Sequence, residues 1–301
     1  MKTPARLLCI GECMVELSPA GDDKFRMGFA GDTFNTAWYV KQLLGQNWRI
    51  GYASCVGTDA VSERMLAFMR EAGIDTDHVR QLRDRTAGLY MIQLENGERS
   101  FSYWRGQSAA RMLADESDWL DRAFSGADVL FYSGITMAIL DDPARERLSA
   151  ALARARARGA LTVFDSNMRT QLWNGPDAMR AGIMQGAAQA DVVLPSFDDE
   201  QDAFADTTLG AVARRYREAG AKLVVIKNGA GKILVSRHDG EDFSFAPDPV
   251  RDVLDSTAAG DSFNAGFLSA YLQGADVREA VARGAEVAAK VVRAPGALVT
   301  V

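Results

Sequence analysis

The sequence predicts an α/β fold in which a mostly parallel sheet is covered by helices on both faces. Three observations carry that prediction. Apolar runs of four to six residues alternate with stretches whose apolar residues recur at helical spacing. The helical stretches close on glycine, and one opens on proline, the expected asymmetry of helix ends. Two early segments break this rhythm, and one of them alternates and turns like a hairpin.

In chain order, "RLLCIG" (6–11) reads as a first buried strand and "TFNTAWYVKQLLG" (33–45) as a helix closed by Gly45. "IGYASCVG" (50–57) is the next strand. "DAVSERMLAFMREAG" (59–73) is a helix with Val61, Met65, Phe68, Met69 and Ala72 on one face. A strand at 128–134 precedes a helix over 142–159, with Pro143 near its start and Gly159 past its end. Strands follow at 161–165, 191–196 and 222–229, with a helix over about 208–219 between the last two. "VRDVLD" (250–255) is expected to be a strand, and "SFNAGFLSAYL" (262–272) a helix whose Phe263, Phe267 and Tyr271 repeat every four residues. The segments that break the rhythm, about 12–31 and 87–106, are expected to form a small sheet outside the core, a lid over a cleft, with a turn at "ENGE" (95–98). No internal repeat or linker divides the 301 residues, so one domain with this appendage is expected.

Composition narrows the function. Charged residues make up 25% and hydrophobic residues 48%, as in an ordinary folded protein, and the net charge of −6 argues against nucleic acid as a partner. The arginines of "ALARARARG" (151–159) are interleaved with Ala and Leu and read as a solvated helix face. Cys9, Cys13 and Cys55 have no CxxC spacing and read as reduced thiols. The two histidines, His78 and His238, have neither metal-ligand nor triad spacing. No apolar run approaches a membrane span, and the first residues are too short an apolar stretch for a secretion signal, so a soluble, cytoplasmic protein is expected.

The chemistry is expected in "DSTAAGDSFNAGF" (255–267). Ala258, Ala259 and Gly260 allow close backbone approach, and the free amides of residues 258–261 at a helix start suit a phosphate. Asp261 beside them reads either as a helix cap or as a general base that takes a proton from a hydroxyl while the amides hold a transferring phosphoryl group. In the second reading the helix end keeps the carboxylate ionised and its pKa ordinary. No GxxxxGK[ST] loop, protein-kinase motif set or GxGxxG fingerprint occurs.

The same stretch resembles the C-terminal signature of the ribokinase-like (PfkB) carbohydrate kinases, and "FAGDTFNTAWYVKQLLG" (29–45) resembles their N-terminal signature. The resemblance covers essentially the whole chain. It implies a three-layer α/β/α fold with a small β-sheet lid, ATP as phosphoryl donor and Mg²⁺ as its partner. Within the family the chain looks most like the branch that phosphorylates 2-keto-3-deoxygluconate, through "IGECMVELS" (10–18), "GDTFNTA" (31–37), "GLYMI" (88–92), "YWRG" (103–106), "DSNMR" (165–169) and "SFDDE" (196–200).

What the resemblance implies for residues is specific. Asp261 would be the base, with Ala258, Ala259, Gly260 and Asp261 forming the anion hole. Gly31, Asp32 and Asn35 would hold sugar hydroxyls, with Tyr90, Tyr103 and Arg105 reaching in from the lid and Arg169 approaching the substrate or the phosphates. Asn167, Ser196, Lys227, Asn228, Gly229 and Gly231 would lie along the nucleotide. Asp199 and Glu200 match the acidic end of an NxxE motif that organises Mg²⁺, with Ser196 where the family has Asn. Asp255 falls where relatives can bind a monovalent cation such as K⁺. "RAPGALV" (293–299) has no acid where some members contribute one to the substrate. Arginines near the cleft suit an acidic sugar, because a planar guanidinium matches a carboxylate. Pairing of two copies through Met27, Phe29, Met91 and Phe101 of the lid is a further expectation, though the same residues can simply cover the substrate. The alternatives are a kinase of the same fold for fructose, ribose or a 2-keto-3-deoxygalactonate-like acid, and a non-catalytic sugar-sensing protein.

Overall fold

The computed structural model describes residues 4–21, 24–95 and 98–301. The first part of the chain forms β1 (Ala5–Ile10), β2 (Met14–Pro19), β3 (Phe25–Ala30), α1 (Asp32–Leu43), β4 (Trp48–Gly57), α2 (Ala60–Glu71) and β5 (Asp75–Leu82). Next come β6 (Leu89–Glu95), β7 (Glu98–Trp104), α3 (Ser117–Phe124), β8 (Val129–Ser133), α4 (Gly134–Ala138), α5 (Asp142–Ala157) and β9 (Leu161–Asp165). The last part contains α6 (Pro176–Ala187), β10 (Val192–Val193), α7 (Phe197–Phe204), α8 (Leu209–Glu218), β11 (Leu223–Ile226), β12 (Ile233–Arg237), β13 (Phe243–Phe245), α9 (Ala259–Leu272) and α10 (Val277–Val291).

Among the described residues, nine strands form one sheet in the order β13-β12-β11-β10-β9-β8-β1-β4-β5. From β11 to β5 every pairing is parallel, and β12 and β13 close one edge antiparallel. Strand residues alternate between two cores, as the period of two requires. Leu8, Ile10, Leu130, Tyr132, Phe164 and Val224 face one core, where Leu120 of α3, Leu148 of α5, Ile183 of α6 and Tyr216 of α8 meet them. Leu7, Cys9, Phe131, Val163, Val192 and Val225 face the other, with Phe34 of α1, Met65 of α2, Phe267 of α9 and Val281 of α10. The chain is therefore a three-layer α/β/α structure, as expected.

Most elements fall where the periodicity puts them, with three kinds of difference. β5, β12 and β13, and the helices α3, α4, α6, α7 and α10, have no counterpart in the sequence reading. β5, "DTDHVRQL", sits at the sheet edge, where polar residues are tolerated and the buried-strand pattern disappears. The expected strand at 191–196 shrinks to Val192–Val193, with one isolated bridge between Ser196 and Lys227. The expected strand at 250–255 is not one. The edge position is already taken by β13, and this segment instead runs along α10, where the Leu254 and Asp255 amides donate to the Val292 carbonyl. Val253 and Leu254 stay exposed there.

The two irregular segments build a four-stranded sheet in the order β3-β2-β6-β7. β6 and β7 pair antiparallel from Leu89↔Trp104 to Glu95↔Glu98. Of the expected turn "ENGE", Asn96 and Gly97 lie outside the described residues. Strand alternation divides the four residues expected to make one pairing surface. Met27 and Met91 share a face with Val15, Leu17 and Phe29, and Phe29 is buried against Phe68 of α2, ring centroids 5.5 Å apart. Phe101 lies on the opposite face, stacked on Tyr103 beside Tyr90. On that face Tyr90 and Ile92 pack with Met14, Ala30 and Ala297, and Ala258 borders the cluster. No helix among the described residues is long and apolar enough to cross a membrane.

Candidate active site

Ligands of open α/β sheets collect beyond the carboxyl ends of the strands. Here β1, β9 and β11 end close to the starts of α1 and α9. Helix α9 begins after Ala258, whose φ of 58° is left-handed, and no side chain caps it. Asp261 is thus the third residue of the helix. Its carboxylate accepts from Asn35 Nδ2 of α1 at 2.8 Å, so it faces across the cleft rather than serving as the cap. The Ala259 amide donates to the Ser256 carbonyl at 3.2 Å, which removes it from the expected anion hole. Among the described residues the amides of Ala258, Gly260 and Asp261 find no protein acceptor.

The expectation that the helix end keeps Asp261 at an ordinary pKa is corrected. Its pKa is pushed up to about 8, first by burial and then by the negative charge of Asp32. The Asn35 bond and the Lys227 charge pull it down but do not prevail, so desolvation and a like charge outweigh the helix end. Burial also raises Asp32. One Asp32 oxygen accepts from Asn167 Nδ2 at 2.8 Å, and the other, Oδ1, is buried with no partner of good geometry, although the Ser133 hydroxyl and the Thr33 amide lie near enough to favour the charged form. Asn167, expected along the nucleotide, therefore stands on the side where Asp32 was expected to hold the sugar.

Beneath the helix start is a closed polar network. Lys227, at the end of β11, donates to Asp165 Oδ1 and to Asn264 Oδ1, each at 3.2 Å. Asn264 Nδ2 returns a bond to Asp165 Oδ2 at 2.7 Å, and the Asn167 amide adds one at 3.3 Å. A Cβ placed on Gly260 would lie 3.6 Å from Lys227 Nζ, so the ammonium lies close to the start of α9.

On the side expected to hold the sugar, Gly31 leads into α1 and its amide donates to Asn35 Oδ1 at 3.3 Å. A Cβ there would stand 2.1 Å from the Glu12 carbonyl oxygen, so only glycine allows the approach. From the small sheet, the buried Tyr90 hydroxyl donates to Glu16, while Tyr103 is exposed. Arg105 is not a surface charge. It is buried and paired with Glu12, with Nε donating to Oε2 at 2.9 Å and Nη2 to the same oxygen. Arg169 is exposed at the rim, bonded to its neighbour's carbonyl at 2.9 Å, and its charge acts on Asp199. Where some relatives are expected to carry an acid, Ala297 fills an apolar contact under the small sheet, and its carbonyl accepts from Tyr39.

The remaining expected residues are more scattered. Asn228, Gly229 and Gly231 form the turn between β11 and β12. The φ of 49° at Gly229 and the closeness of Asn228 to Gly231 both call for glycine. Ser196 precedes α7 and meets Lys227 through the backbone. Glu200 points away from this region, each oxygen already bonded, to Arg215 at 2.8 Å and Tyr216 at 2.7 Å. Asp255 accepts the Thr257 amide at 2.9 Å and the Gly296 amide at 2.7 Å. Asp199 is partly buried, which raises its pKa, and it senses the charges of Arg169, Asp165 and Lys227. Among the described residues no three acidic, Cys or His side chains gather to hold a metal ion. Asp199, with no cage of protein ligands around it among the described residues, fits a Mg²⁺ carried mainly by phosphates and water. A groove of about 780 Å³ opens between α10 and residues 245–250, lined in part by Pro249, Val250, Ala282 and Ala285.

Sequence reasoning missed Asp165, Asn264 and Glu12. Asp165 and Glu12 carry a readable signal, an acid at or just beyond the carboxyl end of a buried strand. Asn264 carries only its place three residues after Asp261.

The chain matches the pfkB family carbohydrate kinases over residues 4–300. It is 37% identical to the 2-dehydro-3-deoxygluconokinase of Dickeya dadantii, over 99% of this chain and 97% of that protein. It is 36% identical to the protein of the same name from Escherichia coli K12, over 98% of this chain and 97% of that protein. Among solved structures it resembles fructokinase with bound ATP from Xylella fastidiosa, with a TM-score of 0.84 and 25% identity, covering 97% of this chain and 93% of that one.

Proposed function

The chain belongs to the pfkB family of carbohydrate kinases, and on that premise we propose that it moves the γ-phosphoryl group of ATP to the terminal hydroxyl of 2-keto-3-deoxygluconate, giving the 6-phosphate. The names shared by the two relatives support the substrate. One observation carries the chemistry. Asp261 sits beside amides that have no protein acceptor, at the start of a helix and close to a buried ammonium.

In this reading the substrate hydroxyl gives its proton to Asp261 while its oxygen bonds to the γ-phosphorus. The bond from that phosphorus to the β,γ-bridging oxygen breaks, and ADP leaves. The amides of Ala258, Gly260 and Asp261, with Lys227 close by, receive the charge on the transferring group. A raised pKa makes Asp261 a better proton acceptor, at the cost of being protonated more of the time below pH 8. Asp32, through its unpartnered oxygen, and Asn35 hold sugar hydroxyls, and Arg105 takes the carboxylate. Tyr103 covers the sugar from the small sheet, which acts as a lid on a single kinase domain.

The nucleoside lies in the groove against α10, because residues 245–250 that wall it run on toward Ala258. The turn at Asn228, Gly229 and Gly231 is assigned to the nucleotide beside it. Asp199 is the residue that would hold Mg²⁺, which when bound would supply positive charge against the triphosphate. A K⁺ near Asp255 and a pairing of two copies through the small sheet complete the reading, together with a cytoplasmic location. Kinetics in K⁺ against Na⁺ and sedimentation address the first two.

A panel of acceptors tests the substrate. Turnover per KM should be highest for 2-keto-3-deoxygluconate, ahead of 2-keto-3-deoxygalactonate, fructose and ribose. A neutral sugar at the top of that ranking rejects the substrate and keeps the fold.

A further inference from the structure

We propose that Glu12 is a positioning residue that aims Arg105 at the carboxylate of an acidic acceptor. It thereby sets the preference for sugar acids over neutral sugars. This rests on the reading of Arg105 above. Glu12 stands on the link from β1, a core strand, to β2, the first strand of the small sheet. Arg105 follows β7, where the chain leaves that sheet. Their ion pair therefore pins two crossings between core and lid, joining residues 93 positions apart.

The orientation follows from the bonds. Glu12 Oε2 takes the side edge of the guanidinium, Nε and Nη2. A guanidinium is planar and carries five donors, so the end formed by Nη1 and the second Nη2 hydrogen is directed away from Glu12. That end matches a second carboxylate with two parallel bonds. The ring of Tyr103, 6.0 Å from the guanidinium carbon, flanks the group.

Glu12 is itself fixed. Its carbonyl is packed against Gly31 so closely that a side chain there could not fit, and Gly31 leads directly to Asp32 and Asn35. Gly88 leaves room for the pair from the other side, since a Cβ there would lie 2.6 Å from Glu12 Oε1 and 3.2 Å from the Arg105 Cβ. The arginine is thus held in register with the start of α1. Glu12 Oε1 is buried with no hydrogen-bond partner, and the side chain is 0% exposed. What this carboxylate supplies is charge and direction for one guanidinium.

Steady-state kinetics of Glu12→Gln, Glu12→Ala, Arg105→Ala and the double Glu12→Ala/Arg105→Ala protein test the assignment, with keto-acid and ATP varied separately. Glutamine keeps the shape and an acceptor but loses the charge. Glu12→Gln should raise the KM for the keto-acid about tenfold, the loss of one charge-assisted contact, while the KM for ATP stays within about twofold. The double variant should be no worse than Arg105→Ala alone, because the two residues act as a unit. Equal rises in both KM values, no rise in either, or multiplying effects in the double variant overturn the proposal. So does a Glu12→Gln protein that unfolds at the assay temperature, since the pair is then structural. If Arg105→Ala leaves the keto-acid KM unchanged, the reading of Arg105 as the carboxylate receptor falls. If Arg105→Ala raises it and Glu12→Gln does not, only the role of Glu12 falls.

Discussion

Two buried ion pairs flank the cleft, and they are built differently. On the floor, Lys227 and Asp165 are closed into a ring by Asn264, and each Asp165 oxygen has a partner. At the hinge, Arg105 meets one oxygen of Glu12 and the other oxygen has none. Asp32 is incomplete in the same way. A buried polar atom without a partner is costly, so a folded protein keeps few of them. The satisfied network holds α9 against the ends of β9 and β11. These two carboxylate oxygens lie where the substrate is assigned, although buried atoms elsewhere, such as Trp173 Nε1 and Arg215 Nε, also have no partner. On the proposed reading the difference separates a scaffold from a receptor.

The largest effect that tests this division is on catalysis. Asp261→Asn should lower kcat about thousandfold, the usual scale for losing a general base, with ATP binding retained by calorimetry. A kcat within a few-fold of the parent removes Asp261 as the base. On the floor, Lys227→Met leaves Asp165 charged and buried without its cation, and should cost about 3 kcal/mol of stability in urea melts. Adding Asp165→Asn should restore most of that loss. If instead the hinge variant Glu12→Gln destabilises the protein as much as Lys227→Met does, the contrast between scaffold and receptor is lost.

The pH profile comes next. A base with its pKa near 8 must lose its proton before it can act. Turnover per KM should therefore rise about tenfold per pH unit up to that value and level off above it. A flat profile between pH 6 and 9 contradicts the assignment. The stability effect has the opposite sense. Because the folded pKa lies above the unfolded one, the folded state binds more protons between the ordinary carboxylate range and pH 8, so the contribution of Asp261 to stability is lost as pH rises through that window. Thermal melts of Asp261→Asn should show a weaker fall over the same range. The smallest change is expected from Asn35→Ala. Losing the bond that stabilises the charged form should move the breakpoint of the profile upward, and a downward move would mean that Asn35 has another role.

The legible parts of the fold were those with a period. Buried strands such as β1 and β9 are short apolar runs, and α2 and α5 announce their ends with Asp59, Pro143 and Gly159. Edges were not legible. β5 is rich in charged residues, whereas "VRDVLD" has a strand-like pattern and no neighbour to pair with. The site was half readable in the same sense. The small-residue turn and Asp261 lie in one stretch, and so did the resemblance that marked Asp32 and Asn35. The Asp165–Asn264 and Glu12–Arg105 contacts join residues 99 and 93 positions apart, and no local pattern records them.

The sequence by itself determined the layered α/β architecture, the small-residue helix start that carries Asp261, and the membership of a kinase family, because periodicity and contiguous motifs are local properties of a chain. Only the tertiary structure decided that Asp261 has a raised pKa, that the Ala259 amide is taken by the Ser256 carbonyl, that Asn167 bonds to Asp32, and that Arg105 is buried on Glu12. Those outcomes depend on desolvation and on charges from distant segments. Both act over a few ångströms of space, whatever the distance along the chain.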